Sequence, residues 1–193
     1  MIRRQLINFQ NRSVDVRVGL GAFDELPRMF ASAVGKPKRA MVVWNSASSE
    51  RFDEVVEHAL VDAGFAVSQF SLEVSPAGAT LADADAIFGA LSANGITCDD
   101  LVVAVGDAAT CSVVSWCANL WCGRTECALL PTTFDAMLTV ATTMKPLVAS
   151  SANALPAIAF RPEPGLVVCD LDLVRETDPE DLKLGYVVLV GTM

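Results

Sequence analysis

The chain offers little of what most catalytic and metal sites are built from. Among its 193 residues there is one histidine, His58, so no Ser/His/Asp or Cys/His arrangement is credible. Six cysteines are present, Cys98, Cys111, Cys117, Cys122, Cys127 and Cys169, but none forms a C-x-x-C pair. A zinc site needs about four well-placed ligands, so no metal is expected. The thiols read instead as buried, reduced, small hydrophobes. Lys and Arg number 14 against 23 Asp and Glu, and the basic residues never cluster beyond short pairs. A net charge of −9 without a basic patch excludes nucleic acid and anionic membrane as partners. No apolar run approaches the roughly 18–20 residues that span a bilayer. Met1-Ile2-Arg3-Arg4-Gln5 has no apolar core behind it, so no secretory signal is expected and the expected compartment is the cytoplasm.

What the chain has in quantity is short apolar runs. Hydrophobic residues make up 52% of it and the mean hydropathy is +0.43. Runs such as Leu101–Val105 and Val187–Val190 are strand-sized, which points to a sheet buried on both faces. Ile2–Phe9 and Val14–Val18 alternate around Asn11-Arg12-Ser13 and predict a hairpin. Asp24–Val34 has a helical period. Arg39–Trp44 is a buried strand, and Phe52, Val55, Val56, Ala59, Leu60 and Ala63 then mark one face of a helix ended by Gly64. Phe65–Leu72 is a strand, Leu81–Ala93 a helix, Leu101–Val105 the strongest strand, Ala108–Trp121 a helix and Cys127–Leu130 a further strand. This alternation predicts one α/β domain over residues 1–193, a Rossmann-like parallel sheet with helices on both faces and an N-terminal β-hairpin. Beyond Pro131 the pattern weakens. Phe134–Thr143 fits a helix or an extended segment, and Ala149–Ala154 a loop. Ala157–Phe160 and Leu166–Cys169 read as a final strand pair. Thr177–Asp181 opens a short acidic helix, and Tyr186–Val190 is an apolar end.

In such a sheet ligands bind beyond the carboxyl ends of the strands. Three ends stand out: Asn45-Ser46, Gly106-Asp107 and Pro131-Thr132-Thr133. Gly106 opens a helix N-terminus, a natural phosphate site. Asp107 gives the same place a second reading, because its carboxylate would cap the helix with the N–H groups a phosphate would use. Thr132 and Thr133 are donors to a ligand or simply a turn. Lys145, alone between Arg124 and Arg161, reads as a solvated charge. Asp99-Asp100 and Glu180-Asp181 read as exposed turn or helix charges.

The stretch Leu101–Thr133, LVVAVGDAATCSVVSWCANLWCGRTECALLPTT, resembles the central segment of the 3-dehydroquinate synthase family. That segment has a strand, a triple glycine, an Asp and a Gly-Phe pair on the helix, then a strand ending in Pro-Thr-Thr. Gly106 and Pro131 sit at the family's separation without a gap. Phe160–Asp170, FRPEPGLVVCD, resembles the family's Phe-x-x-Pro and following strand. Glycerol-dehydrogenase-like and iron-containing alcohol dehydrogenases share the architecture. The resemblance covers nearly the whole chain but only the N-terminal half of such an enzyme, so the helical, metal-binding second half is absent from residues 1–193.

In the family this half binds NAD, used transiently to oxidise a sugar-phosphate acid that then loses phosphate and closes a carbocycle. The resemblance places Gly106 at the first pyrophosphate glycine, Thr132 and Thr133 at the cofactor-contacting threonines, and Lys145 at a substrate-facing catalytic lysine. It implies NAD as cofactor. The departures are numerous. Asp107 and Ala108 replace the other two glycines, Ser112 the helix Asp, Ser115-Trp116 the Gly-Phe pair, Thr139 the Asp after Pro-Thr-Thr, and Thr143-Met144 the glycines before Lys145. Each removes a hydrogen bond, a charge or a metal bond. The expectation is a synthase-like domain of shikimate-pathway ancestry, by family a carbon–oxygen lyase, without catalysis of its own. Two alternatives stay open: an NAD- or nucleotide-binding module of a larger enzyme, and a structural or protein-interaction domain with a vestigial cleft. The expected partner is a second copy or the missing helical domain.

Overall fold

The computed structural model describes residues 1–193 apart from Gln10, Asn11, Gly35, Pro37, 46–48, Pro76, Ala77, 150–155, Pro162, Glu176, Asp178, Thr192 and Met193. Strands β1 (Arg3–Phe9) and β2 (Arg12–Gly19) form an antiparallel hairpin. A 3-10 turn, Ala22–Glu25, leads into α1 (Leu26–Ala33). Then come β3 (Arg39–Asn45), α2 (Ser49–Asp62), β4 (Ala66–Leu72), α3 (Leu81–Ala93), β5 (Leu101–Gly106), α4 (Ala108–Leu120) and β6 (Glu126–Pro131). The chain continues through α5 (Phe134–Thr139), β7 (Leu147–Val148), β8 (Pro156–Ile158), β9 (Leu166–Asp170), α6 (Asp172–Arg175) and α7 (Pro179–Gly191). The main sheet has the order β1-β2-β9-β6-β5-β3-β4 and is parallel except for the hairpin. The predicted α/β class, Rossmann-like sheet and hairpin are all present.

Successive side chains of a strand point to opposite faces. Met41 and Val43 of β3 join Val102 and Ala104 of β5 in a core under α3, α4 and α5. Ala40, Val42 and Trp44 join Leu101, Val103 and Val105 in a second core under α1 and α2. Both faces are therefore covered, which is why these strands read as unbroken apolar runs. Helix α3 starts where it does because Thr80 and Asp83 cap it reciprocally. The Thr80 amide donates to Asp83 Oδ2 (2.7 Å) and the Asp83 amide to Thr80 Oγ1 (3.2 Å).

Several expectations are corrected. Ala157–Phe160 and Leu166–Cys169 do not pair with each other. Pro156–Ile158 pairs with Leu147–Val148 in a small separate sheet, while β9 enters the main sheet between β2 and β6. The apolar end Tyr186–Val190, whose run Val187–Val190 is strand-sized, forms the last turns of α7. Phe134–Thr143, open between helix and strand, is helical only over Phe134–Thr139. Val55 leaves the buried face of α2 and is 45% exposed. Of the cysteines, Cys98 and Cys122 are exposed; the other four are buried, and burial pushes the Cys169 thiol up to about 12 and raises those of Cys111, Cys117 and Cys127 as well. Of the predicted loop Ala149–Ala154, all but Ala149 lies outside the described residues, as do Asn11 and Ser46.

Asp100 is the largest correction. Expected at the surface, it is fully buried at the foot of β5, where it ties β3 to the loop before β5. It accepts from the Arg39 amide (3.2 Å), Arg39 Nη2 (3.0 Å), the Thr97 amide (2.7 Å) and Thr97 Oγ1 (2.8 Å). Burial alone would raise its pKa, but the hydrogen bonds from Arg39 and Thr97 outweigh burial and hold it below the ordinary value. A carboxylate whose folded value lies below its unfolded value stabilises fully above about pH 4, and that contribution is lost as pH falls through the folded value. Asp100→Ala is expected to lower stability in urea unfolding at pH 7 by about 1–3 kcal/mol, the cost of orphaning buried donors. The same variant should show a shallower loss of stability than the wild type between about pH 4 and pH 2.

Candidate functional site

The parallel register brings the carboxyl ends of β3, β5 and β6 to one rim. Trp44 lies beside Val105 and Gly106 beside Pro131. The Thr132 amide donates to the Gly106 carbonyl at 2.9 Å, carrying the sheet one residue past β6. Three of the residues singled out from sequence, Gly106, Thr132 and Thr133, thus share this rim.

Helix α4 begins at the rim, and Asp107 is its N-cap. Asp107 Oδ1 accepts from the Thr110 amide at 2.8 Å, and the Asp107 carbonyl accepts the first helical bond from Cys111 at 3.0 Å. Of the two readings of Gly106-Asp107, the self-capped helix is the one observed. Asn45 at the end of β3 reaches across: its Nδ2 donates to Thr110 Oγ1 at 3.1 Å in a buried contact. Gly106 adopts φ +155°, a conformation that side chains avoid. A Cβ on it would lie 2.9 Å from Asn45 Cβ and 3.2 Å from Thr110 Cβ and Cγ2. The glycine is required by the meeting of β3 and α4.

Lys145 arrives at the same end of the sheet on the segment after α5. Its amide donates to Ser112 Oγ at 2.9 Å, and that hydroxyl in turn donates to the Ala108 carbonyl. Ser112, early in α4, therefore fixes the backbone at Lys145. The ammonium, half exposed, lies 3.6 Å from Asp135 Oδ2, and Asp135 Oδ1 accepts from Thr133 Oγ1 at 2.7 Å. Thr133, Asp135 and Lys145 form one chain of contacts. Lys145 thus keeps an exposed ammonium, with an ion-pair partner in Asp135 that its isolation in sequence did not suggest. Asp135 and Thr110 were missed by sequence reasoning. The signal for Asp135 was its place two residues after Thr133 at the start of a helix, where Asp and Thr bond to each other and to the backbone. Thr110 had none short of the fold. Asp170, ending β9, faces the protein and accepts from the Phe23 amide (2.9 Å) and the Asp172 amide (3.0 Å). Among the described residues no group of three or more His, Cys, Asp and Glu is placed to hold a metal ion, and no helix is long and apolar enough to cross a membrane.

With this geometry in place, the kinship of the chain can be stated. No protein-family model matches it. A 3-dehydroquinate synthase from Nocardia farcinica is 25% identical over 175 residues, which are 91% of this chain and 46% of that protein. The fold is shared with 2-deoxy-scyllo-inosose synthase, solved with carbaglucose-6-phosphate, NAD+ and Co2+, at a TM-score of 0.83 and 17% identity, covering 95% of this chain and 50% of that one. It is shared with 2-epi-5-epi-valiolone synthase from Streptomyces hygroscopicus subsp. jinggangensis, solved with NAD+ and Zn2+, at 0.75 and 16%, covering 94% and 49%. A probable glycerol dehydrogenase from Sinorhizobium meliloti follows at 0.64 and 18%, covering 86% and 42%. The chain has the fold of these synthases and dehydrogenases and spans about half the length of the relatives it matches. Within that group, the resemblance of its motifs to 3-dehydroquinate synthase agrees with the curated relative.

Two of those neighbours hold NAD+, so the rim is tested for that group. A cofactor pyrophosphate needs bare backbone at the strand–helix turn and free N–H groups at the helix start. Here the space a side chain would fill at Gly106 is taken by Asn45 and Thr110, the Thr110 amide is committed to Asp107, and the carboxylate adds a like charge. The described residues do not fit a pyrophosphate in that position. The packing has a direct consequence for stability. Gly106→Ala is expected to cost about 2–3 kcal/mol in urea unfolding, from overpacking and backbone strain. Gly89→Ala, inside α3 with nothing within 4 Å of the new methyl, is expected to gain roughly 0.5–1 kcal/mol in the same measurement.

Proposed function

We propose that this chain is a 3-dehydroquinate synthase-like domain of shikimate-pathway ancestry that does not carry out the synthase reaction on its own. The observation that carries this reading is the chain of contacts Lys145, Asp135, Thr133. The lysine at the position of the family's substrate-facing lysine is paired with the domain's own carboxylate, and Thr133 donates to that same carboxylate. A lysine that faces a substrate must have its ammonium free to meet it, and here a carboxylate of the domain already does so. The test is release of inorganic phosphate from a seven-carbon sugar-phosphate acid, with NAD and a divalent cation present. No release above the rate without protein is expected, and Lys145→Ala should leave that null result unchanged. Turnover that Lys145→Ala abolishes would reject the reading.

A second reading, a domain kept for contact with another protein, is favoured by helix α7. Tyr186, Val187 and Val190 lie 61%, 69% and 72% exposed on it, although the helix is anchored from beneath by the edge-to-face contact of Tyr186 with Phe134. Single exposed apolar residues are ordinary, but three within five positions of one helix form a continuous patch. Under this reading the double variant Val187→Glu, Val190→Glu keeps the melting temperature of the wild type within about 1–2 °C, since exposed substitutions change stability little. It also loses whatever self-association the wild type shows in sedimentation velocity.

A further inference from the structure

We infer that Asp107 is the resident anion of the α4 N-terminus: its carboxylate takes the position of the dinucleotide pyrophosphate in the NAD+-bound neighbours, and the domain is built to stand without that cofactor. The inference rests on the reading of the chain as a synthase-like domain, and it goes beyond catalysis to what the rim has become. The first amides of a helix lack intrahelical partners and carry its positive end, so they demand an acceptor. In a dinucleotide fold the cofactor supplies that acceptor, and the apo domain is left with the demand unmet. Here the Thr110 amide receives the Asp107 carboxylate at 2.8 Å. The side chain of the same Thr110 accepts from Asn45 Nδ2 at 3.1 Å. The glycine beside it is closed over by the β-carbons of both. Two residues further, the Ser112 hydroxyl donates to the Ala108 carbonyl and accepts from the Lys145 amide, tying the start of the helix to the segment after α5. The substitution of the family's second glycine by aspartate is therefore an exchange of an external anion for an internal one.

The inference is tested by calorimetry and thermal melting of the whole chain at low salt, with NAD and with inorganic pyrophosphate as separate probes. The wild type is expected to give no saturable heat and no shift in melting temperature with either probe at millimolar concentration. Asp107→Gly is expected to melt at a lower temperature than the wild type and to regain part of the loss as pyrophosphate is added. Should Asp107→Gly not fold, Asp107→Ser, which keeps a capping hydroxyl and removes the charge, is read in the same way. Saturable binding of NAD or pyrophosphate by the wild type overturns the inference. So does a variant that folds and stays indifferent to pyrophosphate, because the carboxylate would then not be what holds the anion's place. Neither outcome bears on phosphate release from a sugar-phosphate acid, so a failure here is distinct from a failure of the proposed function.

Discussion

The burial of the central strands on both faces is the constraint from which the rest of the structure follows. Strand β5 is buried from Leu101 to Gly106, and β3, β6 and β9 are nearly so. Apolar side chains then have to alternate between two cores, and the helices have to lie on both sides to close them. Once α1 and α2 cover one face and α3, α4 and α5 the other, the strand ends at Asn45, Gly106, Pro131 and Asp170 all emerge at one rim. The place where polar chemistry can sit is set by apolar packing.

At that rim the polar groups are turned toward one another. Asp107 caps α4, Asn45 reaches Thr110, Ser112 holds the backbone at Lys145, Thr133 and Lys145 share Asp135, and Asp170 holds the turn at Phe23. In a working site some groups are left poorly satisfied until a ligand arrives, and that deficit is part of binding. Here the polar groups just named have partners within the domain. The chain itself spans about half the length of the relatives whose fold it shares.

Much of the fold was legible in the sequence. Helix α3 spans the residues its period predicts, and Leu101–Val105 differs from β5 only by Gly106, because both elements carry their own signals: a capping pair in one, an unbroken valine-rich apolar run in the other. Long-range pairing was not legible. Nothing within Leu166–Cys169 says that it pairs with β2 and β6, some 150 and 40 residues away, rather than with its neighbour in sequence. The apolar run Tyr186–Val190 is ambiguous between strand and helix by periodicity alone, and Pro179 at the first helical position decides it. Asp100 looked exposed because it adjoins Asp99 in a turn, and its partner Arg39 is 61 positions away. At the candidate site the residues with a motif, Gly106, Thr132, Thr133 and Lys145, could be singled out from the sequence. The residues that satisfy them, Thr110 and Asp135, belong to no motif and become visible only as neighbours in space.

The hairpin that begins the chain has one more consequence. It adds β1 beyond β2, so the outermost strand on that side runs antiparallel to its neighbour and opens its free edge to water. Its first two residues are Arg3 and Arg4, the latter joined to Asp15 on β2 at 3.1 Å. An open edge is a template for another strand, and charged side chains on it are one means by which sheets stop growing. In a chain that is half hydrophobic, those two guanidinium groups set charge on the edge where an added strand would have to pair. Their loss would be felt first in how concentrated the protein can be kept, before any change in how firmly it is folded.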